Sequence, residues 1–344
     1  MGKGLICLQS PLTIIYPATV DWFLLFQRPQ QLLTAFSKIP GVRCIFETTE
    51  FYQKLQTPVV KVKEDLFLVK HRYDYRHLIQ GKKVLWFSFP AHYRNTFTEK
   101  YDLVVFDAID NPVGEFSEWA KDMPEAIKVA DLISCTANVM YESHKLSGKP
   151  VFMCPNGSDF DHFSKASTKL EKPSDFPKLS RKEKVIGFYG AMAEWVDFDL
   201  ILYIASRYKV VLIGSNKFYS CPVTHPNIFS LHHKDYSILP NYLSHFDITL
   251  IPFKLTEMIK GCDPIKFYEY LAAGKPVLAT EIEELKKYAN VTYFINHNNA
   301  LDVIDRALRE DCEEKKRIRQ EIVKEQSWDR RAEIALRKIN ELLQ

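Results

Sequence analysis

Between residues 264 and 269 the chain reads Pro-Ile-Lys-Phe-Tyr-Glu, and here residue types and spacing can do chemistry. A proline suits the first turn of a helix, where its missing N–H has no helical acceptor, so Pro264 predicts a helix over 264–273. Gly274 ends that helix and Pro276 blocks its continuation. The free amides of Ile265 and Lys266 then make an anion site. Lys266 puts a positive charge in the first turn, where the helix dipole disfavours it, so helix stability does not explain it and a phosphate would. Glu269 lies one turn on, on the same face as Ile265 and Lys266. A carboxylate there can accept two hydrogen bonds from a vicinal diol such as a ribose, each about 1.5–3 kcal/mol. The competing reading is a surface Lys266–Glu269 ion pair worth about 0.3–0.5 kcal/mol, and spacing alone does not choose between them.

Other candidates sit where strands are predicted to end. Gly187-Phe-Tyr-Gly190-Ala-Met-Ala193 is a loose glycine turn after a strand. It lacks the G-x-G-x-x-G pattern and the following acidic residue of a dinucleotide site, and it leaves either backbone approach of Gly190 to a diphosphate or a plain tight turn. His232, His233 and Tyr236 follow another strand, and the His-His pair has no third metal ligand nearby in sequence. Asp107 and Asp110 end a strand of the first half, the place for a general base, while Asp110-Asn111-Pro112 also reads as turn chemistry. Asp21, Trp22 and Arg28 mix an aromatic with charges, as a sugar acceptor or its phosphate would require, although Trp22 equally suits a core. Asn156 and Asp159 lie in a further strand-end loop, with Asn156 a candidate to bind the acceptor, while Asn156-Gly157 also reads as an ordinary turn.

The elements that must position these residues alternate from end to end. Apolar strands are expected at Gly4–Leu8, Val42–Glu47, Leu66–Val69, Lys83–Ser88, Leu103–Phe106, Leu132–Ser134 and Pro150–Cys154, then at Lys184–Tyr189, Lys209–Ile213, Asn227–Ser230, Ile248–Ile251, Val277–Ala279 and Thr292–Ile295. Helical patterns lie between them, including Arg28–Ser37, Phe116–Val129 and Tyr236–Leu243, and Glu313–Leu343 breaks near Ser327. Near-continuous apolar strands imply parallel sheets covered on both faces, and the pattern occurs twice. The expected division is a first α/β domain over 1–163, a linker over 164–183, a second over 184–326, and a terminal helix over 327–344 that packs back on the first. Open sheets of this kind bind ligands at the carboxyl ends of their strands.

At 344 residues with a net charge of +3, the chain has room for two cores and gives no argument for nucleic acid. Seven scattered cysteines, none spaced C-x-x-C, read as reduced thiols of a cytoplasmic protein. The start of the chain lacks the pattern of an export signal, and no run approaches the roughly 20 apolar residues of a membrane span. Residues 54–83 carry Lys54, Lys61, Lys63, Lys70, Arg72, Arg76, Lys82 and Lys83 against three acids. That stretch is a solvated face or a contact with anionic lipid, worth about 1 kcal/mol per basic residue at a membrane surface.

The segment 264–284 resembles the donor-binding signature of GT-B glycosyltransferases of the family 4 kind, with its Glu before a small-residue run and Ala-x-Gly-x-Pro-Val after it. The chain is also similar along nearly its whole length to bacterial teichuronic-acid-type glycosyltransferases. The matching segments are Asp21-Trp22 with Gln27–Leu32, Tyr101–Asp110, Ala130–Ile133, Pro155-Asn156-Gly157 with Asp159, Gly187–Gly190 with Trp195, and Ser327-Trp328-Asp329. The resemblance implies a GT-B fold, two Rossmann-like doubly wound domains facing a central cleft. It implies transfer of a sugar from a nucleotide donor, UDP by family preference, to a saccharide or lipid-linked saccharide in cell-envelope polysaccharide synthesis, with retention and at the cytoplasmic face of the membrane. It assigns Glu269 to the donor ribose and the loop of His232 and Tyr236 to the base. The first acidic position of the family pair falls on Gly261, so Asp263 or Glu257 would have to stand in. The family's basic pair after the first strand of the second domain is absent too, so Lys254, Lys266 and the helix amides would meet the phosphates. The nucleotide sugar is a substrate, and no cofactor or metal is implied. The rival readings are a nucleotide-sugar epimerase or phosphorylase on the same architecture, and an inactive nucleotide-sugar-binding subunit.

Overall fold

A computed structural model describes residues 10–180, 182–215 and 220–344. The chain divides into two compact units, one running to Asn156 and completed by Trp328–Gln344, the other Gly157–Ser327.

The first unit holds β1 (Leu12–Tyr16), α1 (Arg28–Phe36), β2 (Val42–Thr48), β3 (Val59–Lys63), β4 (Leu66–Lys70), β5 (Lys82–Phe87), α2 (Asn95–Thr98), β6 (Leu103–Ala108), α3 (Met123–Val129), β7 (Leu132–Cys135), α4 (Asn138–Lys145) and β8 (Val151–Met153). Its sheet has the order β3-β4-β2-β1-β5-β6-β7-β8. The pairs are parallel except β3–β4, an antiparallel edge that periodicity did not reveal. β3 shows why: Val-Val-Lys-Val-Lys is half-buried to exposed, with lysines where an edge strand must repel another chain. The strand expected at Gly4–Leu8 lies outside the described residues, and the central strand β1 is the buried Leu-Thr-Ile-Ile-Tyr just after Pro11. The helix expected over 116–129 is two pieces, a 3-10 turn over Gly114–Trp119 and α3, which restarts with Pro124 in its first turn.

The second unit holds α5 (Phe160–Phe163), β9 (Val185–Tyr189), α6 (Phe198–Ala205), β10 (Lys209–Ser215), β11 (Ile228–His232), α7 (Leu239–Ser244), β12 (Ile248–Ile251), α8 (Ile265–Ala272), β13 (Val277–Ala279), β14 (Thr292–Phe294), α9 (Ala300–Glu310) and α10 (Glu313–Lys324). Its parallel sheet runs β11-β10-β9-β12-β13-β14, so the strand order reverses between β9 and β12. That reversal is the switch point where open α/β sheets receive ligands. Residues 164–183, read as a linker, belong to this unit: Phe176 is buried against Tyr242, His245 and Phe246, and Leu170 N–H donates to Ser244. The terminal helix α11 (Trp328–Leu343) packs on α1 in the first unit.

Candidate active site

At the switch point, α8 is held from its far end. Its last carbonyls find no N–H donor within the helix itself. Gln320 of α10 donates to Ala272 O at 2.9 Å, and buried Arg319 donates to Gly274 O at 2.9 Å. Gly274, at φ +70°, makes the left-handed exit that a helix end of this kind needs. The amino end of α8 starts one residue later than the sequence suggests, at Ile265, with Pro264 as its cap. The first backbone bond runs from Phe267 N–H to Pro264 O, which places Ile265 and Lys266 in the turn whose amides have no helical acceptor.

Glu269, one turn in, is only 4% exposed. Tyr189, the last residue of β9, donates its hydroxyl to Glu269 Oε2 at 2.7 Å, and the Tyr189 amide donates to Tyr270 Oη at 3.1 Å. The other carboxylate oxygen has no partner among the described residues and stays available to a ligand. Burial pushes the Glu269 carboxyl up to about 7; the Tyr189 hydrogen bond and the Lys266 charge pull against it, and Asp159 adds to it. Neither tyrosine was among the sequence candidates. The only signal was a Tyr two residues after Gly187, indistinguishable from a core aromatic.

The ion-pair reading of Lys266 fails, because no Lys266–Glu269 contact within 4 Å exists among the described residues. The Lys266 ammonium instead lies 4.8 Å from the Phe253 ring centroid and 5.5 Å from that of Phe188. Burial lowers its pKa from the ordinary lysine value. A cation at the positive end of a helix, without a carboxylate beside it, is set up for an anion. Gly190 adjoins it at φ +146°, and a Cβ there would sit 3.0 Å from Lys266 Cε. Gly214, at the end of β10, is tighter still: a Cβ would lie 1.9 Å from Gly190 O. Gly214→Ala is therefore expected to destabilise the second unit by about 1–3 kcal/mol through strained backbone and displaced carbonyl, checked by urea unfolding of the full chain.

The remaining donor candidates scatter. Lys254 is exposed and lines a cavity of about 290 Å³ with Asp197, Phe253, Thr280 and His297, beyond the ends of β12 to β14. Asp263, just before α8, is 3% exposed and accepts from Tyr268 Oη at 2.8 Å. His232 is exposed, and Tyr236 stacks on His162 at 4.7 Å, with His162 Nε2 2.9 Å from Tyr236 O. Among the described residues no group of three His, Cys, Asp or Glu side chains could hold a metal ion.

In the first unit five of the candidate residues are engaged within the fold itself. Asp107 is 2% exposed and takes Arg28 Nε and Nη2 at 2.8 Å each, with Trp86 Nε1 at 3.1 Å. Arg28, 3% exposed, also donates to Asn156 Oδ1 at 3.2 Å, and Asn156 O accepts from Arg331 of α11 at 3.1 Å. Burial pulls the Arg28 guanidinium down, and the Asp107 carboxylate more than restores it above its ordinary value. Asp107, Arg28 and Asn156 thus form a buried network joining α1, β6, the turn after β8 and α11. Asp21 is 3% exposed and pins a loop, accepting from Tyr52 N–H at 2.8 Å, Gln53 N–H at 3.2 Å and Phe23 N–H at 3.0 Å. Trp22 is core, edge-on to Phe46 at 5.0 Å and to Phe26 at 5.5 Å. Asp110 differs: it is partly exposed, has no hydrogen-bond or ionic partner among the described residues, and burial raises its carboxyl to about 6. In the basic stretch, Lys61, Lys70, Arg76, Lys82 and Lys83 pair with acids, leaving Lys54, Lys63 and Arg72 without an ionic partner among the described residues. No helix among the described residues is long and apolar enough to cross a membrane.

No protein-family model matches the chain. Over 275 residues it is 24% identical to the Bacillus subtilis (strain 168) protein named "Putative teichuronic acid biosynthesis glycosyltransferase TuaH", covering 71% of this chain and 68% of that one. Among solved structures it is similar to a sucrose-phosphate synthase from Thermosynechococcus elongatus, with TM-score 0.68, 13% identity and coverage of 97% and 99% of the two chains. It is also similar to a UDP-forming trehalose-phosphate synthase from Burkholderia xenovorans, with TM-score 0.64, 12% identity and coverage of 98% and 100%. A third likeness is the trehalose-6-phosphate structure from E. coli bound with UDP-2-fluoro glucose, with TM-score 0.66, 11% identity and coverage of 96% and 99%. At these identities the solved structures bear on the fold, and the fold is the α/β GT-B class, as the motifs implied. The likeness to a teichuronic-acid-type glycosyltransferase read from those motifs is met as well.

Proposed function

We propose that the chain is a glycosyltransferase that binds a nucleotide sugar, UDP-linked, in its second domain and passes the sugar to a saccharide held by its first. One observation carries the reading: Glu269 and Lys266 stand on one face at the amino end of α8, the carboxylate anchored by Tyr189 with one oxygen left over, the ammonium without a carboxylate partner among the described residues. A ribose diol suits the first and a diphosphate the second. The fold supports it, as does the likeness to a named glycosyltransferase.

The phosphates' charge is met by Lys266 and the α8 amides, without a metal. Transfer retains configuration: the acceptor hydroxyl oxygen bonds to the anomeric carbon as the bond to phosphate breaks, and the leaving phosphate oxygen takes the proton. Asp110 then orients the hydroxyl rather than ionising it. The acceptor is a lipid-linked saccharide of the cell envelope, met at the cytoplasmic face of the membrane, where Lys54, Lys63 and Arg72 supply the attraction to anionic lipid.

A thermal-shift screen with UDP-, GDP- and dTDP-glucose tests the donor. Ligand at a hundred times its Kd stabilises the folded chain by about 2.7 kcal/mol, so a rise in melting temperature is expected with the UDP sugar. Equal, absent shifts with all three would remove the reading.

A further inference from the structure

Beyond β5 and β6 in the first unit lies a group of aromatic rings that the donor chemistry does not use. Phe116 and Trp119, on the 3-10 turn after β6, lie 4.7 Å apart, tilted by 33° between their planes. Phe89, just past β5, meets Trp119 edge-on at 5.7 Å. His92 stands edge-on to Phe89 at 5.3 Å, and its Nδ1 lies 3.3 Å from Thr19 Oγ1, which follows β1. The parallel register of β5 and β6 sets Phe87 beside Phe106, so Phe89 emerges level with Ala108, two residues before Asp110. All of this lies at the carboxyl ends of β1, β5 and β6, the ligand-binding edge of such a sheet. Phe89, Phe116 and Trp119 are partly exposed, unlike the core aromatics of the same unit. The indole N–H of Trp119 and the carboxyl of Asp110 have no hydrogen-bond partner among the described residues.

We propose that Phe89, Phe116 and Trp119 form a shelf for the apolar face of a pyranose ring, the acceptor sugar, with Asp110 and the Trp119 indole N–H bonding its hydroxyls. The inference rests on the glycosyltransferase reading and names where that reaction's acceptor binds. A pyranose has a C–H face that excludes water against an aromatic plane and a rim of hydroxyls that need partners. A site of rigid aromatic area with a few convergent polar groups meets both needs. Asp110, raised toward neutrality by burial, gains from a hydroxyl partner that the protein does not supply.

The test is saturation-transfer NMR on the full chain with a panel of methyl hexopyranosides, a methyl glucuronide and a methyl N-acetylhexosaminide, run beside UDP binding. The wild type is expected to transfer saturation to the ring C–H protons of at least one panel member. Trp119→Ala is expected to lose this signal or weaken binding at least tenfold, Trp119→Phe to keep part of it, and both to bind UDP as the wild type does. A panel sugar that binds the wild type and Trp119→Ala alike, or none that binds the wild type while UDP does, overturns the shelf and leaves the donor reading standing. Failure of UDP to bind the wild type removes the donor reading instead. Should Trp119→Ala not fold, Asp110→Asn and Trp119→Phe decide: unchanged sugar affinity in both overturns the proposal.

Discussion

Asp107→Ala is expected to destabilise the first unit by about 3–5 kcal/mol, the cost of leaving a buried guanidinium without its counter-charge. Arg28 and Asp107 are 3% and 2% exposed, and their contact is bidentate at 2.8 Å on both arms. Removing the carboxylate strands Arg28 against Ser134 and Asn156 and frees the Trp86 N–H. For a unit of this size each kcal/mol moves the transition by about 2–4 °C, so a fall on the order of 10 °C is expected. Fluorescence follows it selectively, since Trp22, Trp86, Trp119 and Trp328 lie in the first unit and only Trp195 in the second. The same variant separates structure from chemistry. If Asp107 were a general base, Asp107→Asn would lower kcat with unfolding unchanged. The geometry instead predicts a lowered transition, and UDP affinity in the second unit intact. Unfolding of Asp107→Asn and Asp107→Ala like the wild type, with lost turnover, would restore the catalytic assignment.

That network also shows where sequence reading stops. Arg28 and Asp107 are 79 residues apart, and Arg28 and Asn156 are 128 apart. Nothing local distinguishes an arginine at a helix start that will meet a strand-end carboxylate from one that will meet a ligand; both need the same residue types. Asp21 carries the same ambiguity, since a carboxylate that pins two distant amides is indistinguishable in sequence from one that awaits a sugar. The donor end was more legible because its evidence is local. A proline, a lysine in the wrong place for the dipole and a glutamate one turn later lie within six residues on one helix, so the helix itself delivers the geometry. The doubly wound sheets were legible for a related reason: strands buried on both faces carry their signature in composition. The edge strand β3, half in solvent, carries no such signature, and Pro124, which restarts α3 after a 3-10 turn, hides inside a helical pattern. The aromatic shelf escaped because Phe116 and Trp119 fell in that misread stretch.

Glu269→Ala is expected to weaken binding of a UDP sugar by about 1.5–3 kcal/mol, roughly 10- to 150-fold, the range for charge-assisted hydrogen bonds. The pH dependence is the more discriminating result. The Glu269 carboxyl titrates near 7 in the folded chain, because burial raises it above the ordinary 4.5 by more than Tyr189 and Lys266 lower it, with Asp159 adding to the rise. Below that pH the carboxyl is protonated and accepts poorly; above it, the ionised oxygen left open by Tyr189 receives the diol. The phosphates of a UDP sugar stay ionised throughout, so the wild-type affinity should rise between pH 6 and 8. Glu269→Gln should bind weakly and without that slope. Folding runs the other way. A carboxyl whose folded pKa is raised contributes its stability fully below about 4.5 and loses it as pH climbs toward 7, a change on the order of 3 kcal/mol. Stability should therefore fall over an interval that overlaps the one in which donor affinity rises, and Glu269→Gln, neutral at every pH, should flatten both curves. Calorimetry with UDP-glucose at pH 6, 7 and 8, beside urea unfolding from pH 4.5 to 8, measures the two slopes. A wild-type donor affinity independent of pH, or a slope that survives in Glu269→Gln, would place the titrating group elsewhere and take Glu269 out of the donor site.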